Sequence, residues 1–235
     1  MGSIGALPFH GNSAPSTGKD TVSIGIIGAG ALGSNVARLL ARSRISATIA
    51  NSRGPESLAA LVGELGPSIK AGTAREAASA DIVLVALRWV DLEKALGGLP
   101  AWNGRIVIDG TNPVAFLEPD SPDAQDPNNP LAAYGIKAID LGGRHSSEVF
   151  RGFVPDARVV KAFNHLDANV LSKPPELGGQ RTLFYSGDDT DAKAEVRKLI
   201  EQTGCFPVDL GVLDVGGPLA SLPFGSLAAI NLVKI

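Results

Sequence analysis

VSIGIIGAGALGSNVARLLARSRISATIANSR, residues 22–53, reads as a strand, a tight glycine turn, a helix and a second strand. Val22–Ile27 is apolar and rich in β-branched residues, as a strand buried on both faces of a parallel sheet should be. The turn Gly28-Ala29-Gly30-Ala31-Leu32-Gly33 is a full G-x-G-x-x-G. In such a turn the first glycine permits the reversal out of the strand. The second lets a pyrophosphate approach the backbone, and the third lets the helix pack closely on the sheet. Beyond it, Leu32, Val36, Leu39 and Leu40 fall on one helical face. The free N–H groups that open this helix, at Ala31, Leu32 and Gly33, favour an anion. The stretch predicts a Rossmann-type dinucleotide site.

The end of the second strand, Ala47–Ala50, chooses between dinucleotides. An NAD site expects Asp or Glu there, about 20 residues past the glycines, accepting from the ribose hydroxyls. This chain has Asn51, Ser52 and Arg53 instead. A carboxylate would repel a 2′-phosphate, whereas a serine hydroxyl donates to one and a guanidinium matches its geometry. The reading is NADP(H). Its bland alternative makes Arg53 a solvated residue ahead of the helix start at Pro55.

Whole-chain properties narrow the remaining classes. The 235 residues are 44% hydrophobic and 19% charged, with net charge −3, as in an ordinary soluble globular protein. No basic run points to nucleic acid. Cys205 stands alone, and His10, His145 and His165 lack metal-ligand spacing, so neither a disulfide framework nor a metal centre is expected. No apolar run reaches the roughly 18 residues of a membrane span. Residues 1–20 are rich in Gly, Ser and Pro without the pattern of a secretory signal, and read as a flexible tail on a cytoplasmic protein.

Downstream, the strand–helix alternation continues. Thr73 to Glu76 forms a capping box ahead of a short helix, Ala74–Ala80. Ile82–Leu87 is a buried strand, with Leu87, Arg88 and Trp89 at its carboxyl end, where ligands of such sheets sit. Trp89 either covers the adenosine or packs under the next helix. Arg105–Asp109 is the following strand, ending in Gly110-Thr111-Asn112-Pro113. Asn112, held extended by Pro113, either offers its amide to the nicotinamide half or makes a local turn bond. Glu118–Pro130 carries four prolines and four acids without a Lys or Arg. It is expected to be neither helix nor central strand, but a loop, lid or surface insertion. Further strands are expected at Ile136–Asp140, Arg158–Phe163, Arg181–Ser186 and Cys205–Leu210, with a helix over Thr190–Thr203. His165 either faces the nicotinamide or is structural. From residue 212 the chain is almost wholly apolar and must be covered, by the site's mouth or by a second subunit.

The expected fold class is therefore α/β. It is a doubly wound, mostly parallel Rossmann sheet over residues 21–211, with a short apolar C-terminal appendage over 212–235. The stretches IGIIGAGALGSNVARLLA, NSRGPESLAALV, DIVLVALRW, IVIDGTNPV, SSEVFRGFVPDARVVKAFN and FYSGDDTDAKAEVRKLIEQTG resemble the coenzyme F420-dependent NADP oxidoreductase family. The cytoplasmic part of the STEAP metalloreductases resembles the same family. The resemblance implies NADP(H) across the strand ends, with Ser52 and Arg53 at the 2′-phosphate. It also implies a homodimer and direct hydride transfer to a planar acceptor, F420 or a flavin such as FMN or FAD. Such chemistry needs positioning more than an acid or base. Arg144, His145 and Arg151 are the cations available to an anionic acceptor. Two alternatives remain. One is reduction of a small imine or carbonyl, which needs a proton donor such as His165 or Tyr134. The other is a non-catalytic NADP(H)-binding module.

Overall fold

Apolar runs too short for helices and rich in Ile and Val pair into one sheet, whose order sets the position of everything polar. The computed structural model describes residues 22–176 and 178–235, so the expected tail lies outside the described residues. The elements are β1 Ile24–Ile27, α1 Ala31–Arg42, β2 Ala47–Ala50, α2 Ala59–Leu65, β3 Ile69–Ala71, α3 Ala74–Ala78, β4 Ile82–Val85, α4 Leu92–Leu96 and β5 Ile106–Asp109. There follow β6 Val114–Phe116, α5 Pro122–Gln125, β7 Ile136–Ala138, α6 Ser146–Phe153, β8 Arg158–Ala162, α7 Ala168–Leu171, β9 Gln180–Gly187, α8 Thr190–Gln202, β10 Phe206–Asp209, α9 Leu213–Ala220 and β11 Val233–Lys234.

The sheet order is β10-β9-β8-β5-β4-β1-β2-β3. Its first six chain-order members pair in parallel, from β3 at one edge to β8. β9 then runs antiparallel to β8, with β10 parallel to β9 and β11 antiparallel on the start of β9. The doubly wound, mostly parallel α/β fold is as expected. β3, β6, β11 and α7 were not anticipated, being two to four residues long.

Alternation along each strand divides the core in two. Ile24, Ile26, Ile82, Leu84, Ile106, Ile108, Val160 and Ala162 face α1 and α8, whose Val36, Leu39, Leu40, Val196 and Ile200 are buried. On the other face Ile27, Val83, Val85, Val107 and Val159 meet Trp89, Leu92, Leu96, Trp102 and Phe150. Both faces are covered, so the central strands read as continuous apolar runs. The α3 capping box forms as expected, with Glu76 N–H donating to Thr73 Oγ1 (3.2 Å) and Thr73 N–H donating to Glu76 Oε2 (2.7 Å).

The acidic segment departs from expectation. It connects β6 to β7, which form their own antiparallel ribbon, and it contains the helical turn α5. Ser121 caps that turn by accepting from Ala124 N–H, and Pro122 occupies the first helical position, where its missing N–H costs nothing. Lys137 pairs with Asp123 at 2.7 Å, and Asn129 Nδ2 donates to the Ile136 carbonyl at 3.0 Å.

At the C-terminal end, α9 lies on β9 and α6 through Gly216 and Gly217. A Cβ on the first would stand 2.5 Å from Ser186 Cβ, and one on the second 2.9 Å from Ser147 Oγ. Leu213 and Ala220 are buried, whereas Val215, Leu219, Phe224, Ile230 and Leu232 are exposed. The apolar appendage is thus half docked and half bare.

Candidate dinucleotide site

The carboxyl ends of the parallel strands open on a cleft of about 650 Å³. It collects Gly28 and Gly30 from the glycine turn, Asn51, Ser52 and Arg53 from the end of β2, and Leu87 and Arg88 from the end of β4. These are seven of the residues singled out by sequence, gathered because parallel strands deliver their following loops to one edge.

The three glycines of the turn differ in their reasons. Gly28 has φ +106°, and a Cβ on it would sit 2.2 Å from the Ala86 carbonyl oxygen. A Cβ on Gly33 would sit 1.8 Å from the Gly28 carbonyl oxygen. Protein packing alone dictates both. Gly30 is otherwise: a Cβ there would meet nothing within 4 Å, and its φ of −76° is ordinary for any residue. Gly30 also precedes α1, which has no side-chain cap and no acid in its first turn. The helix start therefore presents unpaired N–H groups and the positive end of its dipole.

The β2 end is shaped by Asn51. Its Oδ1 accepts from Arg53 N–H at 3.0 Å, and its Nδ2 donates to Ser57 Oγ at 2.9 Å. Asn51 is thus the brace of the loop. Ser52 and Arg53 are exposed, and neither side chain has a hydrogen-bond or ion-pair partner among the described residues. Opposite them, Arg88 Nε pairs with Asp91 Oδ2 at 2.7 Å, and Asp91 holds the guanidinium pKa above its usual value. Asp91, Lys94 and Ala95 of the α4 region also line the cleft. Sequence reading missed them. The available signal was a polar face, Asp91 and Lys94, alternating with the apolar Leu92 and Leu96 just past a strand's carboxyl end.

Other expected site residues lie elsewhere. Trp89, read as either covering the adenosine or packing under the next helix, is 8% exposed, belongs to the core cluster of Leu92, Leu96 and Trp102, and is not among the residues lining the cleft. Ala31 is exposed at the first turn of α1. Leu32 is half-buried, its Cδ2 2.9 Å from where a Cβ on Gly110 would stand.

Asn112 serves as a tie. Its Nδ2 donates to the Asn164 carbonyl (2.8 Å), and its Oδ1 accepts from Asn164 Nδ2 and Leu222 N–H (3.0 Å each). Asn164 Nδ2 also donates to the Ala220 carbonyl at 3.0 Å. These bonds join the ends of β5 and β8 to the end of α9 and occupy the Asn112 amide oxygen, leaving one N–H for a ligand. Pro113, beside it, is half-buried.

His165, read as either facing the nicotinamide or structural, is buried. It is 0% exposed, its ring lies 4.7 Å from that of Phe184, and neither nitrogen has a partner among the described residues. Burial pulls its pKa down to about 4, against a weaker opposing effect of the Thr182 backbone. The ring is not among the groups lining the cleft. Tyr134 is 78% exposed on the β6–β7 connection. Of the cations expected for an acceptor, Arg151 pairs with Asp188 at 3.0 Å, and Arg144 Nε donates to the Leu141 carbonyl at 3.3 Å. Among the described residues no group of His, Cys, Asp and Glu is placed to hold a metal, and no helix is long and apolar enough to cross a membrane.

The model of a family described as NADP oxidoreductase, coenzyme F420-dependent, matches residues 23–113, from β1 through Pro113. A hypothetical protein from Sinorhizobium meliloti is 39% identical, with 92% of this chain and 96% of that one covered and a TM-score of 0.79. A protein from Arthrobacter sp. FB24 described as an F420-dependent NADP-reductase is 24% identical over 82% of this chain and 86% of its own, with a TM-score of 0.59. It shares the fold. Metalloreductase STEAP3 of Rattus norvegicus is 26% identical over 87% of this chain, which spans 37% of that protein's length.

Proposed function

We propose that this chain, whose residues 23–113 match the family described as NADP oxidoreductase, coenzyme F420-dependent, binds NADP(H) in the strand-end cleft and passes hydride between the nicotinamide and a planar acceptor, F420 or a flavin. One observation carries the cofactor assignment: the unobstructed space at Gly30 and the unpaired guanidinium of Arg53 line the same cleft. Gly28, Gly30 and the N–H groups of Ala31, Leu32 and Gly33 receive the pyrophosphate. Ser52 and Arg53 take the 2′-phosphate, with Asn51 holding their loop. Leu87 and Arg88 wall the adenosine, and Asn112 and Pro113 mark the nicotinamide side.

When bound, NADP(H) would supply or accept the hydride. The protein's share is to hold the two rings in register. Of the two proton donors considered for a small-substrate reductase, His165 is 0% and Tyr134 78% exposed, and neither is among the residues lining the cleft. A second copy of the chain is proposed to cover the bare apolar residues Val215, Phe224 and Leu232, giving a homodimer.

Anaerobic NADPH oxidation with F420, FMN and a cyclic imine offered in turn tests this reading. Turnover with F420 or FMN supports it. Turnover with the imine alone replaces it by a small-substrate reductase. Tight NADPH binding without turnover on any of them replaces it by a binding module.

A further inference from the structure

The cleft carries more positive charge than one phosphate-facing arginine accounts for. Arg53, Arg88, Asp91 and Lys94 all line it, in a chain whose net charge is −3. Asp91 is committed to Arg88 at 2.7 Å, so that pair is close to neutral as seen from the cleft. Arg53 and Lys94 have no hydrogen-bond or ion-pair partner among the described residues. They approach from separate elements, Arg53 from the loop after β2 and Lys94 from α4. Lys94 is exposed beside the buried Leu92 and Leu96 that anchor its helix. A lysine stem fixed at its base and free at its tip is a mobile point charge, unlike the planar fork opposite.

From this we infer that Lys94 is a specificity-determining residue. It closes on the 2′-phosphate of NADP(H) from the side opposite Arg53, making a two-cation clamp, while Asp91 keeps Arg88 from becoming a third jaw. The inference rests on the NADP(H) reading above and deepens it. The pyrophosphate is served by the glycine turn and the start of α1. The anion left for Arg53 and Lys94 is the one that distinguishes NADPH from NADH.

The test is calorimetric titration of the full chain with NADPH, NADH, 2′,5′-ADP and ADP. The variants are Lys94→Met, Lys94→Arg and Asp91→Asn, with Arg53→Ala as reference. Lys94→Met should weaken NADPH and 2′,5′-ADP by about tenfold, as expected for one charge-assisted contact. NADH and ADP should be unchanged. Lys94→Arg should keep most of the affinity, and Asp91→Asn, by freeing Arg88, should tighten NADPH. The difference between NADPH and NADH should also shrink with added salt. A wild type that prefers NADPH and loses that preference in Arg53→Ala, but not in Lys94→Met, overturns the clamp alone. Equal loss of NADPH and NADH in Lys94→Met does so too. A wild type with no preference for NADPH overturns the cofactor reading and the clamp together.

Discussion

Lys161 Nζ lies 2.8 Å from Asp109 Oδ2, with the two side chains 1% and 0% exposed. They are register partners on β8 and β5. Lys161 also donates to the Thr111 carbonyl at 2.9 Å, while Asp109 Oδ1 accepts from Thr111 N–H (2.9 Å) and Thr111 Oγ1 (2.6 Å). The pair thereby fixes the turn that leads to Asn112. Because desolvation offsets the attraction of a buried pair, its worth lies in what happens when one partner is lost. Lys161→Met or Asp109→Asn alone should destabilise the fold by about 3–5 kcal/mol. The double variant should cost less than the sum of the two. Urea melts of the three variants check this, and an additive outcome would contradict coupling across the strands.

The glycine turn separates packing from ligand. Gly33→Ala forces its Cβ against the Gly28 carbonyl, at 1.8 Å in the present backbone. It should lower stability by about 1–3 kcal/mol, as over-packing does. Gly30→Ala meets no protein atom within 4 Å, so its melting temperature should hold or rise slightly. Its affinity for NADPH should nevertheless drop by roughly tenfold or more, the methyl standing where the pyrophosphate approaches. Thermal melts with and without NADPH distinguish the two, and unchanged binding in Gly30→Ala would remove the main support for the site.

Arg53→Ala should weaken NADPH by about 10- to 100-fold, the scale of hydrogen bonds to a charged group. NADH should be almost unaffected. Equal losses for both would move the 2′-phosphate away from the end of β2.

His165 makes the fold acid-sensitive. Its pKa is lowered from 6.5 to about 4 in the folded chain. Above pH 6.5 the imidazole is neutral in both states and imposes no penalty. As the pH falls from 6.5 towards 4, the unfolded chain takes up a proton that the folded chain does not, and stability declines. The full shift is worth about 3 kcal/mol. His165→Leu should flatten that part of the stability profile. It should also cost little at pH 7, since it removes two buried nitrogens that lack partners. An unchanged pH profile in this variant would assign the acid sensitivity to other groups.

Legibility in the sequence followed the range of the interactions. The G-x-G-x-x-G, the missing carboxylate at Asn51-Ser52-Arg53 and the apolar runs of β1, β4 and β5 are local patterns. Parallel topology turns them into a fold and a cleft with few alternatives. Trp89 and His165 were ambiguous because an aromatic residue just after a strand serves a core or a ligand equally well. Both side chains are buried in the structure, which depends on the distant segments that pack over them. Asn112 was legible as a polar residue at the right edge, but its bonds to Asn164 and Leu222 span 52 and 110 residues, beyond any local pattern.

The sequence by itself determined the doubly wound class and the dinucleotide turn, and it favoured a 2′-phosphate. Residue spacing and side-chain chemistry act within about one strand and one helix, and those features need no more. Tertiary structure alone decided that Asp109 and Lys161 neutralise each other in the core. It also decided that Lys94 and Arg53 line one cleft and that half of the C-terminal apolar stretch stays bare. Each of these depends on which distant segments the sheet order brings within a few ångströms, and burial, not sequence position, fixes what a charge or an apolar side chain meets there.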